Sequence, residues 1–409
     1  MAEISRHKKL LLSGIVLLVL TASSGTRLFD KDAKATGDPD ISPVKIFLCG
    51  DVMLGRGIDQ ILPHPGDPTL HESYMKSALG YVEIAERMNG PIPRGAGYSY
   101  IWEAALGELE RIQPDLKIIN LETSITKSDD YWKDKGINYR MHPDNIACLT
   151  AVPIDFCALA NNHILDWGYS GLKETLETLN QANVQHAGAG RNQREAENPA
   201  IFHIENKCRV LVFSCGMTTS GIPPGWSASE DRPGVNLLND LSERTVHRIT
   251  EKIQEVKREG DMVIVSIHWG SNWGYKISSD QIEFAHKLID DAGVSIIHGH
   301  SSHHVKGIEV YMDKAIIYGC GDFLNDYEGI RGHEQYRDDL SLMYFVSVEP
   351  LTGKLICLRM IPTQIKHFKV NKVKKRDALW LKNILNREGN QFGTRVELNE
   401  DNSMILQWD

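Results

Sequence analysis

Five apolar runs in this chain each end in residues of the kind that bind metal ions. They are Leu48-Cys49-Gly50-Asp51, Ile118-Ile119-Asn120-Leu121-Glu122, Leu159-Ala160-Asn161-Asn162-His163, Ser266-Ile267-His268-Trp269-Gly270 and Ile296-Ile297-His298-Gly299-His300-Ser301-Ser302-His303. One strand-like run ending in a polar residue means little. Five of them constrain the fold, because open α/β sheets collect ligands in the crevice outside the carboxyl ends of their strands. Asp, Glu, Asn and His supply the oxygen and nitrogen donors that suit Zn, Mn or Fe(II). A metal-binding, hydrolase-like site assembled from distant segments is therefore expected.

The intervening sequence supports such a sheet. Residues 44–49, 115–119 and 154–159 read as buried strands, and Leu172, Leu176 and Leu179 fall at helical spacing after Gly171. A helix is expected over residues 240–258, leading into the clearest strand of the chain at 262–267. The next helix spans 279–291 with Ser278 or Ser279 as its N-cap, and a strand follows at 294–297. From residue 304 the texture changes. Residues 305–311, 315–318, 342–348 and 355–361 look like consecutive strands, with turn-like sequence at 312–314 and 350–353. A βαβ half followed by a β-rich C-terminal half implies an α/β fold, either one mixed sheet or two packed sheets with helices outside. Long Gly- and Pro-rich insertions at 62–100 and 216–236 read either as lids over a site or as ordinary surface excursions.

The N-terminus is of a different kind. Arg6-His7-Lys8-Lys9 precedes the apolar run Leu10 to Leu20, and small residues follow it. That order describes a secretory signal, cleaved or retained as a signal anchor. Residues 1–24 are thus expected to direct export, 25–42 to be a polar tether, 43–365 to form the main domain, and 366–409 to form a basic extension with a short helix. A net charge of −9 offers no footprint for a polyanion, so no nucleic-acid partner is expected. The seven cysteines include no CxxC pair, and no disulfide can be assigned from their positions.

Chemistry narrows further by motif. Asp51 and Glu122 each place a carboxylate just past a strand, where it can hold a metal ion. His163 has Asp166 three residues on, able to orient the imidazole and fix its tautomer. His268, His300 and His303 end two neighbouring strands and can converge on one cluster; metal ions about 3.5–4 Å apart would clamp a phosphoryl-like oxyanion. No GxSxG elbow, GxxxxGK[ST] loop or HExxH helix is present.

At these residues the chain resembles the CapA-type bacterial capsule-synthesis family, also described as poly-γ-glutamate synthesis proteins. The matching motifs are Gly50-Asp51-Val52-Met53-Leu54-Gly55-Arg56, Asn120-Leu121-Glu122, Ala160-Asn161-Asn162-His163 with Asp166, Gly168, Gly171 and Leu172, His268-Trp269-Gly270, Gly299-His300-Ser301-Ser302-His303 with Gly307-Ile308-Glu309, and Tyr318-Gly319-Cys320-Gly321-Asp322-Phe323. That family is similar to calcineurin-like metallophosphoesterases, which implies a two-sheet sandwich flanked by helices (αββα). The resemblance implies Asp51, Glu122, Asn162, His268, His300 and His303 as ligands of one or two divalent ions (Mn, Zn or Fe), with Glu122 as the bridge. It implies His163 as general acid beside the leaving group, and Arg56 as a contact for an anionic substrate group unless it is spent in a surface salt bridge.

Three departures stand out. Met53 replaces the second ligand of the Asp-x-His motif. Ser301-Ser302 replaces His-Pro in the last ligand loop, and Asp322 stands where the family usually has Asn. The implied function is an exported protein of capsule or poly-γ-glutamate biosynthesis with a metal-dependent hydrolase site, acting on an anionic cell-envelope polymer or its precursor. The alternative is a non-catalytic envelope component for polymer assembly or export. Either would work beside a membrane-bound capsule synthase or export machinery.

Overall fold

The computed structural model describes residues 42–409; the expected signal segment, 1–24, and all but the last residue of the expected tether, 25–42, lie outside the described residues. Strands β1 (Val44–Val52), β2 (Leu116–Leu121) and β3 (Phe156–Ala158) run parallel in the order β1-β2-β3. The short helix α1 (Arg56–Ile61) follows β1, and α2 (Gly168–Gln181) follows β3. A second sheet is built on β4 (Cys208–Met217), β5 (Met262–His268) and β6 (Ile296–His300), again parallel. Its crossovers are α3 (Glu243–Val256) and α4 (Ser279–Ala292), the latter closed by a capping box between Ser278 and Gln281. The chain then returns to the first sheet. There β7 (Asp322–Leu324) pairs parallel with β1, β8 (Leu340–Val348) pairs antiparallel with β1, and β9 (Leu355–Ile365) pairs with β8.

Side-chain alternation makes the layers. Ile46 and Leu48 of β1, Ile118 of β2 and Phe156 of β3 share one core with Val210 and Val212 of β4, Ile264 of β5 and Ile296 of β6. That core lies between the two sheets. Phe47, Cys49, Ile119 and Cys157 point the other way and pack with Leu172, Leu176 and Leu179 of α2. Leu211, Val263, Val265 and Ile297 face Phe284, Leu288 and Ile289 of α4. Strands apolar on both faces must be covered on both faces, and the result is helix, sheet, sheet, helix. The α/β expectation holds.

Local differences have local causes. Helix α2 begins at Gly168 rather than after Gly171. The C-terminal residues were expected to carry a solvated basic run and a short helix. Instead, helix α5 (Lys375–Gly389) is fifteen residues long and buries Ala378, Leu381, Ile384 and Leu385 in the inter-sheet core. Strands Val370–Lys372 and Met404–Trp408 pair with β9, and Thr394–Leu398 pairs with Met404–Trp408. Cys49, Cys148, Cys157, Cys215 and Cys320 are buried thiols. Among the described residues no helix is long and apolar enough to cross a membrane.

Candidate metal centre

The parallel strands of both sheets end at the same edge, and the ligand-type residues sit there. Asp51 lies in register with Asn120 of β2 and Asp322 of β7. Gly50 permits this closeness: a Cβ on it would lie 1.6 Å from the Gly321 carbonyl oxygen, and the Asp51 N–H bonds that same oxygen at 3.1 Å. In the second sheet His268 is in register with His300. Period-two alternation puts both on the face that carries Ile264 and Ile296, toward the first sheet.

Among the described residues, two groups of side chains come together with donor atoms close enough to share an ion. One is Asp51, His268 and His300; the other is Asp51, His303 and Asp322. Asp51 belongs to both, whereas Glu122, the expected bridge, belongs to neither. The Nδ1 atoms of His268 and His300 face each other at 2.8 Å, with Asp51 Oδ1 3.9 Å from His300 Nδ1. His303 Nδ1 lies 2.9 Å from Asp322 Oδ1, so the aspartate noted as a departure is part of the cluster. The Asn162 carboxamide oxygen is 3.0 Å from His268 Nε2 at the open side.

The electrostatics fit a divalent cation. Asp51, Glu122 and Asp322 are all buried, and among the described residues Asp51 Oδ2 has no hydrogen-bond partner. Burial, and then repulsion from Asp322, pushes the Asp51 carboxyl up to about 6. Burial and the neighbouring Asp51 raise Glu122 well above its ordinary value. Burial and nearby imidazoles or cations lower His268 and His300, which keeps them in the neutral form that ligates metal. Three crowded carboxyls, the neutral imidazoles of His268 and His300 and an unsatisfied buried oxygen are a donor set that fits a cation, while, against its burial, Asp322 raises the neighbouring His303 imidazole.

A consequence follows for pH. Asp51 must be ionised to ligate, and its value near 6 lies above that of a free aspartate. Metal affinity is therefore expected to be full above about pH 7 and to fall roughly tenfold per pH unit, for each proton displaced, below about pH 6. Calorimetric titration of Mn between pH 5 and 8 checks this; a flat profile would contradict it.

A cleft of about 410 Å³ opens over the cluster. Glu122, Asn162, His163 and His303 line it, with Tyr74, Lys135, Trp273 and Ile330 around them. Tyr74 comes from the 62–100 insertion, but the 216–236 insertion contributes no lining residue.

His163 Nδ1 sits 2.7 Å from Asp166 Oδ2, as its spacing suggested. Asp166 is fully buried and also accepts from the Tyr139 N–H at 2.6 Å. The ring stacks on Tyr139 at 3.8 Å and directs Nε2 toward Glu122 Oε1 at 3.9 Å. Lys135, which carried no sequence signal, donates to Asp166 Oδ1 and to the Asn162 carbonyl, and its Nζ is 2.9 Å from His163 Nδ1. Burial and this lysine hold His163 down to about 4, so it is neutral at pH 7. The Lys135 ammonium can only donate and already serves Asp166 and the Asn162 carbonyl, so we assign Nδ1–H to Asp166, which leaves the resting Nε2 a proton acceptor. The ring becomes the expected acid only after taking up a proton.

Arg56 is committed elsewhere. Its guanidinium bonds Glu72 at 3.0 Å and Asp326 through both Nε and an Nη, and it lies 3.8 Å over the Tyr81 ring and 4.6 Å over Tyr139. The ion pair weighed as a surface feature is a buried one, with 2% of the arginine side chain exposed. Arg56 touches the cleft but reaches His163 only through Tyr139.

The comparisons with known proteins now decide the family. Residues 45–327 match the family described as bacterial capsule synthesis protein PGA_cap. A probable polyglutamine synthesis accessory protein of Mycobacterium tuberculosis is 47% identical over 367 residues, covering 90% of this chain and 96% of its own. The chain belongs to the capsule synthesis family. More distant members are the PGA biosynthesis protein CapA of Bacillus subtilis, 27% identical over 85% of this chain and 79% of its own, and the capsule biosynthesis protein CapA of Bacillus anthracis, 28% identical over 74% and 66%.

In this family member, the residues that hold the candidate donors in place were named in the motifs without a role. Asn120 Nδ2 donates to Asp51 Oδ1 at 2.7 Å and to Glu122 Oε2 at 3.3 Å. Asn161 Nδ2 donates to Asn120 Oδ1 at 3.1 Å, and Asn161 Oδ1 accepts from the His163 N–H at 3.1 Å. One carboxamide pair thus ties the two carboxylates to the His163 loop.

Proposed function

We propose that this capsule-family member is an exported, divalent-metal-dependent hydrolase that acts on a phosphoester or amide-like bond of an anionic envelope polymer or its precursor. The supporting observation is the pair of donor groups that share Asp51 beneath a cleft lined by His163. Asp51, His268, His300, His303 and Asp322 would hold the metal, with Asn162 at the open side. When bound, a divalent ion polarises the scissile group and lowers the pKa of water at the site. The protein's own residues do the rest. Asn120 orients Asp51 and Glu122. Asp166 and Lys135 fix the His163 ring, whose Nε2 takes the proton released by the attacking water and passes it to the leaving group.

Replacing His163 with Ala is expected to lower turnover by about 10²–10⁴-fold, the usual contribution of a positioned acid or base. Metal content should not change. Phosphoester and peptide hydrolysis screens on metal-loaded protein, paired with metal analysis, test this. Equal loss of metal and activity would show that His163 is a ligand instead.

Met53 favours a second reading, as a non-catalytic component for polymer assembly. It is 2% exposed in place of a ligand, and its backbone N–H bonds the Leu324 carbonyl at 2.9 Å. The accessory role in the name of the mycobacterial relative points the same way. Binding of anionic polymer that survives chelation would support this reading against the hydrolase.

A further inference from the structure

We propose that Ser266 and His298 are positioning residues that fix the tautomer of His300, so that its Nδ1 lone pair faces Asp51. The inference rests on the metal-centre reading above and follows from donor and acceptor bookkeeping along one hydrogen-bonded chain. His298 Nε2 lies 2.8 Å from the Cys49 carbonyl oxygen. A carbonyl only accepts, so Nε2 carries the hydrogen. The His298 ring is fully buried, and the polar partners of its two nitrogens are that carbonyl and the Ser266 hydroxyl. With no anion against it such a ring stays neutral, which leaves Nδ1 bare. That nitrogen therefore accepts the Ser266 hydroxyl hydrogen, at 3.1 Å. The hydroxyl has a single hydrogen, so its oxygen must accept the other bond, from His300 Nε2 at 2.9 Å. Counted from the other end, the Asn162 carboxamide oxygen only accepts and takes His268 Nε2–H at 3.0 Å, so four hydrogens serve five links; the metal-centre reading places the empty link between the two Nδ1 atoms, and His300 is then the Nε2–H tautomer. Its Nδ1 is bare, 3.9 Å from Asp51 Oδ1 and 2.8 Å from His268 Nδ1.

The fold sets this polarity. Ser266 and His298 are register partners, as are His268 and His300. Alternation puts all four on the inner face of the second sheet. The chain of bonds starts on β1 at Cys49, two residues before Asp51. The strand that delivers the carboxylate thus also fixes the proton arrangement of the imidazole that shares its ion. Neither residue would touch the metal or the substrate.

The test uses the full chain with ¹⁵N-labelled histidines and reads the His300 tautomer, without metal, from long-range ¹⁵N–¹H correlations. The resonance is assigned by its loss in His300→Gln. Wild type is expected to show Nε2–H. In His298→Phe the Ser266 hydroxyl has lost its acceptor and turns to His300 Nε2, which moves the hydrogen to Nδ1. Mn affinity, measured by equilibrium dialysis, is expected to fall roughly 10–100-fold. His298→Gln, whose carboxamide keeps a donor for Cys49 and an acceptor for Ser266, is expected to retain the wild-type tautomer and affinity. If His298→Phe does not fold, Ser266→Ala is read instead, with a mixed tautomer expected. An Nδ1–H ring in wild type, or an unchanged ring and affinity in the folded variant, would overturn the proposal. Failure of wild type to bind Mn would overturn the metal-centre reading instead, while the tautomer measurement still decides the relay.

Discussion

Asp51→Asn is expected to abolish divalent-metal binding at both candidate positions and to leave the fold intact. Asp51 is the one residue shared by the two donor groups, so the loss of its charge removes a ligand from each. Asparagine keeps the side-chain oxygen that accepts from Asn120 at 2.7 Å. It also relieves the burial cost that raises Asp51, so stability without metal should not fall. Saturating metal stabilises a native protein by RT ln(1 + [L]/Kd), about 2.7 kcal/mol at a hundredfold excess over Kd. Mn or Zn should therefore raise the thermal midpoint of wild type and leave that of the variant unmoved. Glu122→Gln is the control, since Glu122 lies outside both groups. A variant without Glu122's charge that loses metal while Asp51→Asn retains it would restore Glu122 as the bridge.

The other large effect concerns stability. Arg56→Met is expected to destabilise the domain by about 3–5 kcal/mol, because it strands the buried carboxylates of Glu72 and Asp326 without a cation. It also forfeits the cation–π contacts to Tyr81 and Tyr139. Adding Glu72→Gln and Asp326→Asn should recover much of the loss, as removing both sides of an ion pair leaves no buried unpaired charge. Urea denaturation of the single and triple variants measures this. A single-variant loss within about 0.5 kcal/mol, the range of ordinary surface changes, would mean that the arginine is not what holds these loops together.

Strand positions were legible because β1, β2, β5 and β6 are continuous apolar runs, and their ends gave the ligand candidates. Apolar runs show where a strand is buried but not what it pairs with. The division between two sheets therefore emerges only from register, such as β1 against β8. The C-terminal strands were harder to see. Thr394-Arg395-Val396-Glu397-Leu398 does alternate, but it is short and follows a lysine-rich stretch that reads as solvated. Within the site, the ligand candidates could be read from residue type and place at a strand end. The shared position of Asp51 over Glu122 could not, because it depends on β7 bringing Asp322 alongside β1. Lys135 was invisible because it lies in a polar loop with no spacing relation to Asp166, which it meets only in the folded chain. Ser266 and His298 did have a signal, the period-two alternation that aligns them with His268 and His300.

The most direct test of the metal-centre account is a count of metal ions on the full chain, purified without chelators and offered Mn or Zn, by mass spectrometry. Wild type is expected to retain one or two equivalents, and a variant lacking both His300 and His303 none. A wild-type protein that holds no metal under those conditions would contradict the account and turn attention to metal-free handling of the polymer.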